Sequence, residues 1–235
     1  MYMIDGILLI DKEVGITSYD AIRKLKKVLE KGQKIGHGGT LDPFASGLLL
    51  VLLGKATKLM ERIHSLEKEY VVKGEFGFST DTQDITGKVL EKNTLIPTID
   101  DIKKVVKESF LGNISQIPPM YSAKKVNGKK AYELARMGES VELKPKEVFI
   151  KEFEILQYEY PKIECRIVCS SGTYVRTLIH DLGISLGTYA TAKELRRTCI
   201  GEFNISNALS SKDIKDGLEK YVIDIFKVNE ILENE

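Results

Sequence analysis

The sequence contains few cysteines and no long apolar run, and each of these lacks argues against a class of protein. No run approaches the ~18 apolar residues that a membrane-spanning helix needs. The N-terminus does not show the basic and then apolar layout of a signal peptide. The three cysteines in 235 residues argue against a disulfide scaffold, and we expect Cys165 and Cys169 to be buried thiols on one strand face. These features predict a cytoplasmic protein.

Signatures of metal and nucleotide binding are also missing. The histidines at positions 37, 64 and 180 are scattered, so no spacing typical of metal ligands is present. The glycine cluster at 36–39 matches neither a Walker loop nor the GxGxxG pattern of dinucleotide-binding proteins. Regular alternation of strands and helices is absent too, which argues against a doubly wound nucleotide-binding fold.

The net charge of +1 does not indicate a nucleic-acid-binding protein. Basic residues are nevertheless clustered, and a local patch can bind phosphates in a protein that is neutral as a whole. The three basic sets are Arg23, Lys24, Lys26 and Lys27; Lys124, Lys125, Lys129 and Lys130; and Arg196 with Arg197. For the first set, a solvated helix face is the favoured interpretation.

Hydrophobic periodicity predicts an α+β domain with a mixed, largely antiparallel central sheet flanked by helices. Strands are expected at 6–10, 48–53, 70–78, 148–158 and 163–169. Helices are expected from Ser18 to Gly32, at 55–66, from the Thr98 cap to Gly112, at 131–137 and after Thr173. Asn127-Gly128 predicts a hairpin turn. The last thirty or so residues are expected to be helical, with packing by Leu218, Val222, Ile225 and Phe226.

The stretch from Gly36 to Gly47 carries a single aspartate in a glycine-rich loop. Its glycines allow positive φ or a close approach to a ligand. Pro43 fixes φ after Asp42 and disfavours the α region for Asp42 itself. The loop therefore aims one carboxylate from a stiff support beside a buried strand. An ordinary turn that contains an aspartate remains an equally open interpretation.

Arg176 lies in the first turn of a predicted helix, where a cation opposes the helix dipole. At the margin of the buried stripe it requires an anionic partner, and Asp42 and Asp84 are the candidates. An arginine beside Asp42 would favour its ionised form. A surface arginine at a frayed helix start is the open alternative. Tyr70 offers a ring for stacking or is a half-buried strand aromatic.

Seven sequence blocks, in order, resemble the bacterial tRNA pseudouridine-55 synthase family, known as the TruB family. The Asp42 loop resembles the family's GHTGxLDPxAxG block. The resemblance is collinear from about Gly6 to Phe203, which makes it far more specific than any single motif. The other blocks are K-x-Y at 68–70, TDTxDxxG at 80–87, QIPPxYSAxK at 116–124, CSxGTYxR at 169–176, DLG at 181–183 and LRRT at 195–198.

This resemblance implies the pseudouridine-synthase catalytic fold and the isomerisation of a uridine, position 55, in the T loop of tRNA. The glycosidic C–N bond is broken and the base is re-attached through C5. The base has to be extruded before chemistry, and an aromatic ring typically holds an unstacked RNA base. No metal or cofactor is implied, because the isomerisation involves no net redox change.

The resemblance also assigns roles to individual residues. Asp42 would be the catalytic aspartate, and Tyr70 would stack on the target base. Arg176 would pair with Asp42, and Asp84 and Tyr174 would belong to the same network.

A second set of residues would bind the RNA. His37 would occupy the space vacated by flipped bases. The backbone would be held by basic side chains, with salt-sensitive affinity. The set consists of His37, Lys12, Lys58, Lys124, Arg196 and Arg197.

The sequence departs from the family pattern at a few positions. Gly38 replaces a common threonine, which is expected to loosen the loop that carries His37. Glu13 replaces a proline, which affects local loop stiffness. Tyr189 and Thr191 fall where Gly-Ala-His is common, so tRNA contacts there are expected to differ.

We expect residues 1–205 to form the catalytic domain, with an RNA-contacting insertion near 112–140. Residues 206–235 are expected to form a short helical tail and no full C-terminal RNA-binding domain. The protein would then grip tRNA mainly through its catalytic domain, as a monomer without an obligate protein partner or membrane contact.

Two other functions compete with this interpretation. A non-catalytic tRNA-binding or RNA-folding module is disfavoured by the intact Asp42, Tyr70 and Arg176, since a pure binder has no need for an aspartate among phosphates. A synthase acting within a guide-RNA particle is disfavoured by the expected lack of a C-terminal RNA-binding domain or basic tail.

Overall fold

The computed structural model describes residues 3–122, 124–126, 128–139 and 141–234. Its helices are α1 (Ser18–Leu25), α2 (Met60–Ser65), α3 (Ile99–Ser109), α4 (Ala131–Arg136), α5 (Val175–Ser185) and α6 (Ile225–Glu233), with 3₁₀ segments at Gly54–Leu59, Ile205–Asn207 and Leu218–Tyr221. The strands are β1 (Gly6–Lys12), β2 (Ile35–His37), β3 (Ser46–Leu53), β4 (Lys68–Phe76), β5 (Phe78–Thr80), β6 (Val89–Lys92), β7 (Gly112–Gln116), β8 (Lys125–Val126), β9 (Lys129–Lys130), β10 (Lys146–Glu159), β11 (Lys162–Cys169), β12 (Ala190–Ile200), β13 (Phe203–Asn204), β14 (Leu209–Ser210) and β15 (Val222–Asp224).

The chain forms two compact units. The first consists of the chain up to Tyr70 and from Arg196 onward, and the second is Val71–Leu195. Most strand pairs in both units are antiparallel, and β1 with β14 and β12 with β3 are parallel. The predicted mixed, largely antiparallel α+β fold is confirmed.

The first unit is built around β1 and β3, which pair antiparallel from Gly6 opposite Leu53 to Lys12 opposite Gly47. The apolar run of β3 is buried on both faces, because successive strand residues point to opposite sides. Its even-numbered leucines contact a cluster that includes Ile63 of α2 and Val228 of α6. Its odd-numbered residues contact a cluster that includes Ala21 and Leu25 of α1.

The predicted limits of the first helix were wrong at both ends. Thr17, not Ser18, is the N-cap, because Thr17 and Asp20 form a reciprocal capping box. Ser18 is instead buried and bonds to the backbone of Leu41. The helix ends at Leu25 rather than Gly32, and Val28 and Leu29 reach the core from the turns that follow.

In the second unit, strands β4, β11, β10 and β7 are neighbours in that order. The long antiparallel pair β10–β11 follows the predicted strands, and Cys165 and Cys169 are buried free thiols in β11, as expected. Helix α3 begins with the predicted capping box of Thr98 and Asp101. The predicted hairpin is present as β8 paired with β9; its turn residue Asn127 lies outside the described residues.

The prediction of a helical C-terminal tail was wrong for most of its length. Strands β14 and β15 both pair with β1, which covers an edge that would otherwise expose unpaired backbone groups. Only α6 is an α-helix among the described residues after 205. Leu218 is buried as expected, but Phe226 is 79% exposed and does not pack in the core.

No helix in the described ranges combines the length and the apolar character needed to cross a bilayer.

The C-terminal helix provides a test of this packing. Leu232 is 5% exposed and belongs to the core cluster, whereas Phe226 on the same helix is 79% exposed. We expect Leu232→Ala to lower the free energy of unfolding by about 2–5 kcal/mol and Phe226→Ala to change it by less than about 0.5 kcal/mol. Urea unfolding of both variants measures the difference. Equal losses would contradict the packing of α6 on the first unit's core.

Candidate active site

The loop that carries Asp42 is held at both ends by β3. On one side, His37 of β2 pairs with Val51, and the Gly38 amide donates to the Leu50 carbonyl at 2.8 Å. On the other side, the loop runs directly into β3. The Ala45 amide closes a turn on the Asp42 carbonyl at 3.1 Å. Asp42 is half-buried, between the buried Leu41 and the exposed Pro43.

Two contacts, one with Gly15 and one with Ser18 at the start of α1, fix the middle of this loop. The Ser18 hydroxyl accepts from the Leu41 amide at 2.9 Å and lies 3.2 Å from its carbonyl oxygen. The Gly15 amide donates to the Pro43 carbonyl at 2.7 Å. These bonds lie on both sides of Asp42, so its backbone is constrained as the sequence predicts.

Lys12 is buried beneath the loop, although it was predicted to bind RNA. Its side chain is 0% exposed, and its ammonium donates to the carbonyls of Glu13 and Ile16 at 2.9 Å and of Ala45 at 2.6 Å. Burial lowers the pKa of Lys12 to about 8, while the Asp42 carboxylate opposes this shift. In this conformation Lys12 supports the loop and has no surface with which to contact a phosphate.

Arg197 also turns inward, against the prediction that it binds RNA. It is 2% exposed. Its guanidinium donates to the carbonyls of Leu48 at 2.7 Å, Gly39 at 3.1 Å and Thr40 at 3.5 Å. Gly47 has φ +108°, and a Cβ there would lie 2.3 Å from the Arg197 carbonyl oxygen. Arg197 therefore joins both ends of the Asp42 loop.

The neighbouring Arg196 has a different environment. Its side chain is 44% exposed, and it bonds to both carboxylate oxygens of Asp11, at 2.6 and 3.1 Å. Alternation along β12 explains the contrast, because Leu195 and Arg197 share the buried face and Arg196 faces the other way. In the sequence alone the two adjacent arginines indicate a single basic patch. A role of Arg196 in RNA binding stays a prediction.

The departure of Gly38 from the family pattern suggested a looser loop. In the structure Gly38 is instead closely packed. A Cβ at this position would lie 2.4 Å from Cγ2 of Ile63 and 3.4 Å from Cβ of Leu50. The space that a threonine would need is therefore filled by Ile63, which is 0% exposed. The glycine and the isoleucine form a packed pair.

His37 is half-buried in β2. Burial lowers its pKa, and the nearby charges of His64 and Arg197 lower it further. Both effects favour the neutral form of the His37 ring. Lys58 is exposed and Tyr70 is half-buried in β4; their roles toward RNA stay predictions.

In the second unit, Arg176 is buried rather than frayed. It is 4% exposed and pairs with Asp84, which is 2% exposed, at 2.8 Å. It also donates to the carbonyls of Thr82, at 3.2 Å, and of Tyr121. The predicted association of Arg176 with Asp84 is confirmed, and its pairing with Asp42 stays a prediction.

Asp84 is saturated by further hydrogen bonds. Its second oxygen accepts from the Thr82 hydroxyl at 2.9 Å and from the Thr86 amide at 2.9 Å and hydroxyl at 2.5 Å. Gln83 between them adopts φ +64°, and its side chain accepts from Thr177 at 2.6 Å. A buried ion pair needs such extra partners to offset its desolvation.

Three sequence blocks meet at Arg176: the segments 80–87, 116–124 and 169–176. Gln116, which the sequence did not single out, is 2% exposed. Its side-chain amide accepts from the Tyr174 amide at 2.8 Å and donates to the Tyr174 carbonyl at 3.1 Å. It thereby positions the first turn of α5.

Lys124 donates to the Lys144 carbonyl at 3.1 Å.

Thr191 has an internal partner as well. It is 0% exposed and donates to the Phe78 carbonyl at 2.9 Å. Thr191 therefore contributes to packing in the second unit.

Two family models match most of the chain. A family model described as TruB family pseudouridylate synthase, N-terminal domain, matches residues 26–175. A model described as tRNA pseudouridylate synthase B C-terminal domain matches residues 176–226.

Individual relatives cover most of the chain. It is 53% identical to tRNA pseudouridine synthase B of Endomicrobium trichonymphae over 93% of this chain and 94% of that protein. It is 45% identical to the protein of the same name from Fusobacterium nucleatum, over 86% of this chain and 69% of that protein.

A solved structure shows the same fold. A chain of the Cbf5–Nop10–Gar1 complex is 30% identical with a TM-score of 0.73, covering 96% of this chain. This chain spans 62% of the length of that larger one. The fold and the matches define a pseudouridylate synthase, an isomerase. The chain belongs to the TruB family, so the resemblance found in its sequence blocks is confirmed.

The packed pair of Gly38 and Ile63 leads to a test by double-mutant cycle. Gly38 has φ outside the left-handed region, so the clash alone decides the effect of a side chain. We expect Gly38→Thr to lower the free energy of unfolding by about 1–3 kcal/mol. In an Ile63→Ala background the same change should cost much less. Additive losses in thermal or urea unfolding would show that Ile63 is not the obstacle.

The buried pair of Arg176 and Asp84 can be compared with an exposed pair of the same length. Lys73 and Glu194 also lie 2.8 Å apart, with side chains 50% and 69% exposed. We expect Asp84→Asn to lower the free energy of unfolding by about 3–5 kcal/mol, because Arg176 would keep a buried charge. Glu194→Gln should cost at most about 1 kcal/mol. Urea titrations of the two variants test this, and similar losses would contradict it.

Proposed function

We propose that this enzyme converts the uridine at position 55, in the T loop of tRNA, into pseudouridine, with Asp42 as the catalytic residue. The observation that carries the proposal is the loop itself. The loop backbone around the half-buried Asp42 is bonded to two buried cations, Lys12 and Arg197, and to Gly15 and Ser18. A site of this kind holds a single acidic group in a fixed position.

The reaction breaks the C1′–N1 bond and forms a C1′–C5 bond. A proton leaves C5 and N1 gains one, so atoms and electrons balance without a cofactor. Three steps are open to Asp42: attack on the ribose, attack on the base, or removal of a ribose proton. All three need an ionised carboxylate. Because Asp42 stabilises the charged form of Lys12, Lys12 in turn favours the ionised form of Asp42.

The remaining roles belong to the same proposal. The target base leaves its stack and enters the site, where the ring of Tyr70 stacks on it. Arg176, held by Asp84, and Tyr174 complete the network around the base and the aspartate. His37, in its neutral form, fills the space that the flipped bases leave. The enzyme acts in the cytoplasm, as a monomer without an obligate protein partner.

Replacement of Asp42 tests the assignment. We expect Asp42→Asn to lower the rate of pseudouridine formation by about 10³-fold or more and to leave tRNA affinity within a few fold. Purified protein is incubated with an unmodified tRNA transcript, and pseudouridine is mapped chemically. Asp100→Asn, which removes an exposed carboxylate on α3, is the matched control. Unchanged turnover in Asp42→Asn would refute the role of Asp42.

A further inference from the structure

The outer face of α1 combines an exposed aromatic ring with cations. Tyr19 is 55% exposed. The Arg23 guanidinium carbon lies 5.3 Å and the Lys26 ammonium 5.8 Å from the centre of its ring. Tyr19 and Arg23 are one helical turn apart, and Lys26 is the first residue after the helix. We call Tyr19, Arg23, Lys26 and the exposed Lys27 the α1 basic face.

The charge of this segment differs from that of the chain as a whole. Between residues 18 and 34 there are six cations and two carboxylates, in a protein of net charge +1. One of the carboxylates, Asp20, is engaged in the helix cap and pairs with Arg23 at 2.8 Å. The Arg23 side chain nevertheless stays 62% exposed. The surplus positive charge is therefore presented to solvent.

The start of α1 is hydrogen-bonded to the Asp42 loop. Ser18, the residue before Tyr19, bonds to both backbone groups of Leu41, the residue before Asp42. Both segments belong to the first unit. An RNA whose base reaches Asp42 therefore brings its backbone close to the start of α1.

We propose that the α1 basic face binds the backbone of the substrate RNA beside the target uridine, with Tyr19 as a stacking surface. This inference rests on the proposed function. Cations neutralise phosphates and release counterions, and an exposed ring flanked by cations suits an unpaired base. The sequence favoured a solvated helix face here. The exposed Tyr19 ring beneath two cations and the link from Ser18 to Leu41 favour an RNA contact instead.

Charge reversal with a matched control tests the inference. Arg23→Glu/Lys26→Glu is compared with Lys103→Glu/Lys104→Glu, which makes the same charge change at exposed positions of α3. The Kd for an unmodified tRNA transcript is measured by filter binding from 50 to 300 mM salt. We expect Kd to rise more than about 10-fold at 100 mM salt for the α1 variant and less than about 3-fold for the control. The slope of log Kd against the logarithm of the salt concentration should decrease by about 1.5, because two phosphate contacts are lost.

A second pair of variants separates stacking from charge. Tyr19→Ala should raise Kd by about 5-fold or more, whereas Tyr19→Phe, which keeps the ring, should bind like the wild type. Thermal unfolding confirms that each variant is folded.

The outcomes separate this inference from the proposed function. Equal Kd values for the α1 and α3 charge variants would overturn the α1 contact while the wild type still forms pseudouridine. A wild type that forms no pseudouridine would instead overturn the proposed function. Equal binding by Tyr19→Ala and Tyr19→Phe would remove stacking from the inference.

Discussion

The carbonyl groups of the Asp42 loop have to be satisfied inside the protein, and two buried cations do this. Arg197 binds carbonyls from both ends of the loop, at residues 39, 40 and 48, and Lys12 binds the carbonyl of Ala45. Buried polar groups without partners are costly, so these bonds favour one loop conformation. The backbone position of Asp42 follows from them. The charge of Lys12 also favours the ionised form of Asp42.

The second unit also buries a cation, Arg176, and there an anionic side chain satisfies it. Arg176 would be costly to bury alone, and Asp84 with the Thr82 and Tyr121 carbonyls satisfies it. Asp84 is in turn satisfied by threonine side chains and a backbone amide. Three separate sequence blocks are needed for this one network. Their occurrence together in the family pattern thus has a structural reason.

Burial also divides the cations that the family resemblance assigned to RNA. Lys12 and Arg197 face inward, whereas Arg196 and Lys58 keep exposed surface. Positive charge in the first unit therefore occurs in two environments. Buried cations shape the loop, and exposed cations, including those on α1, are available to phosphates.

The sequence by itself determined five of the strands, the fold class and the stiff loop around Asp42, because periodicity, prolines and glycines act locally. The collinear sequence blocks identified the family. It also contained the capping box at Thr98 and the buried run of β3. It did not reveal that α1 ends at Leu25, that the tail pairs with β1, or that Ile63 fills the space beside Gly38. Only the tertiary structure decided which cations are buried. The direction of Lys12 and Arg197 depends on carbonyls that folding brings to them from distant parts of the chain, and a local pattern of charge does not encode those partners.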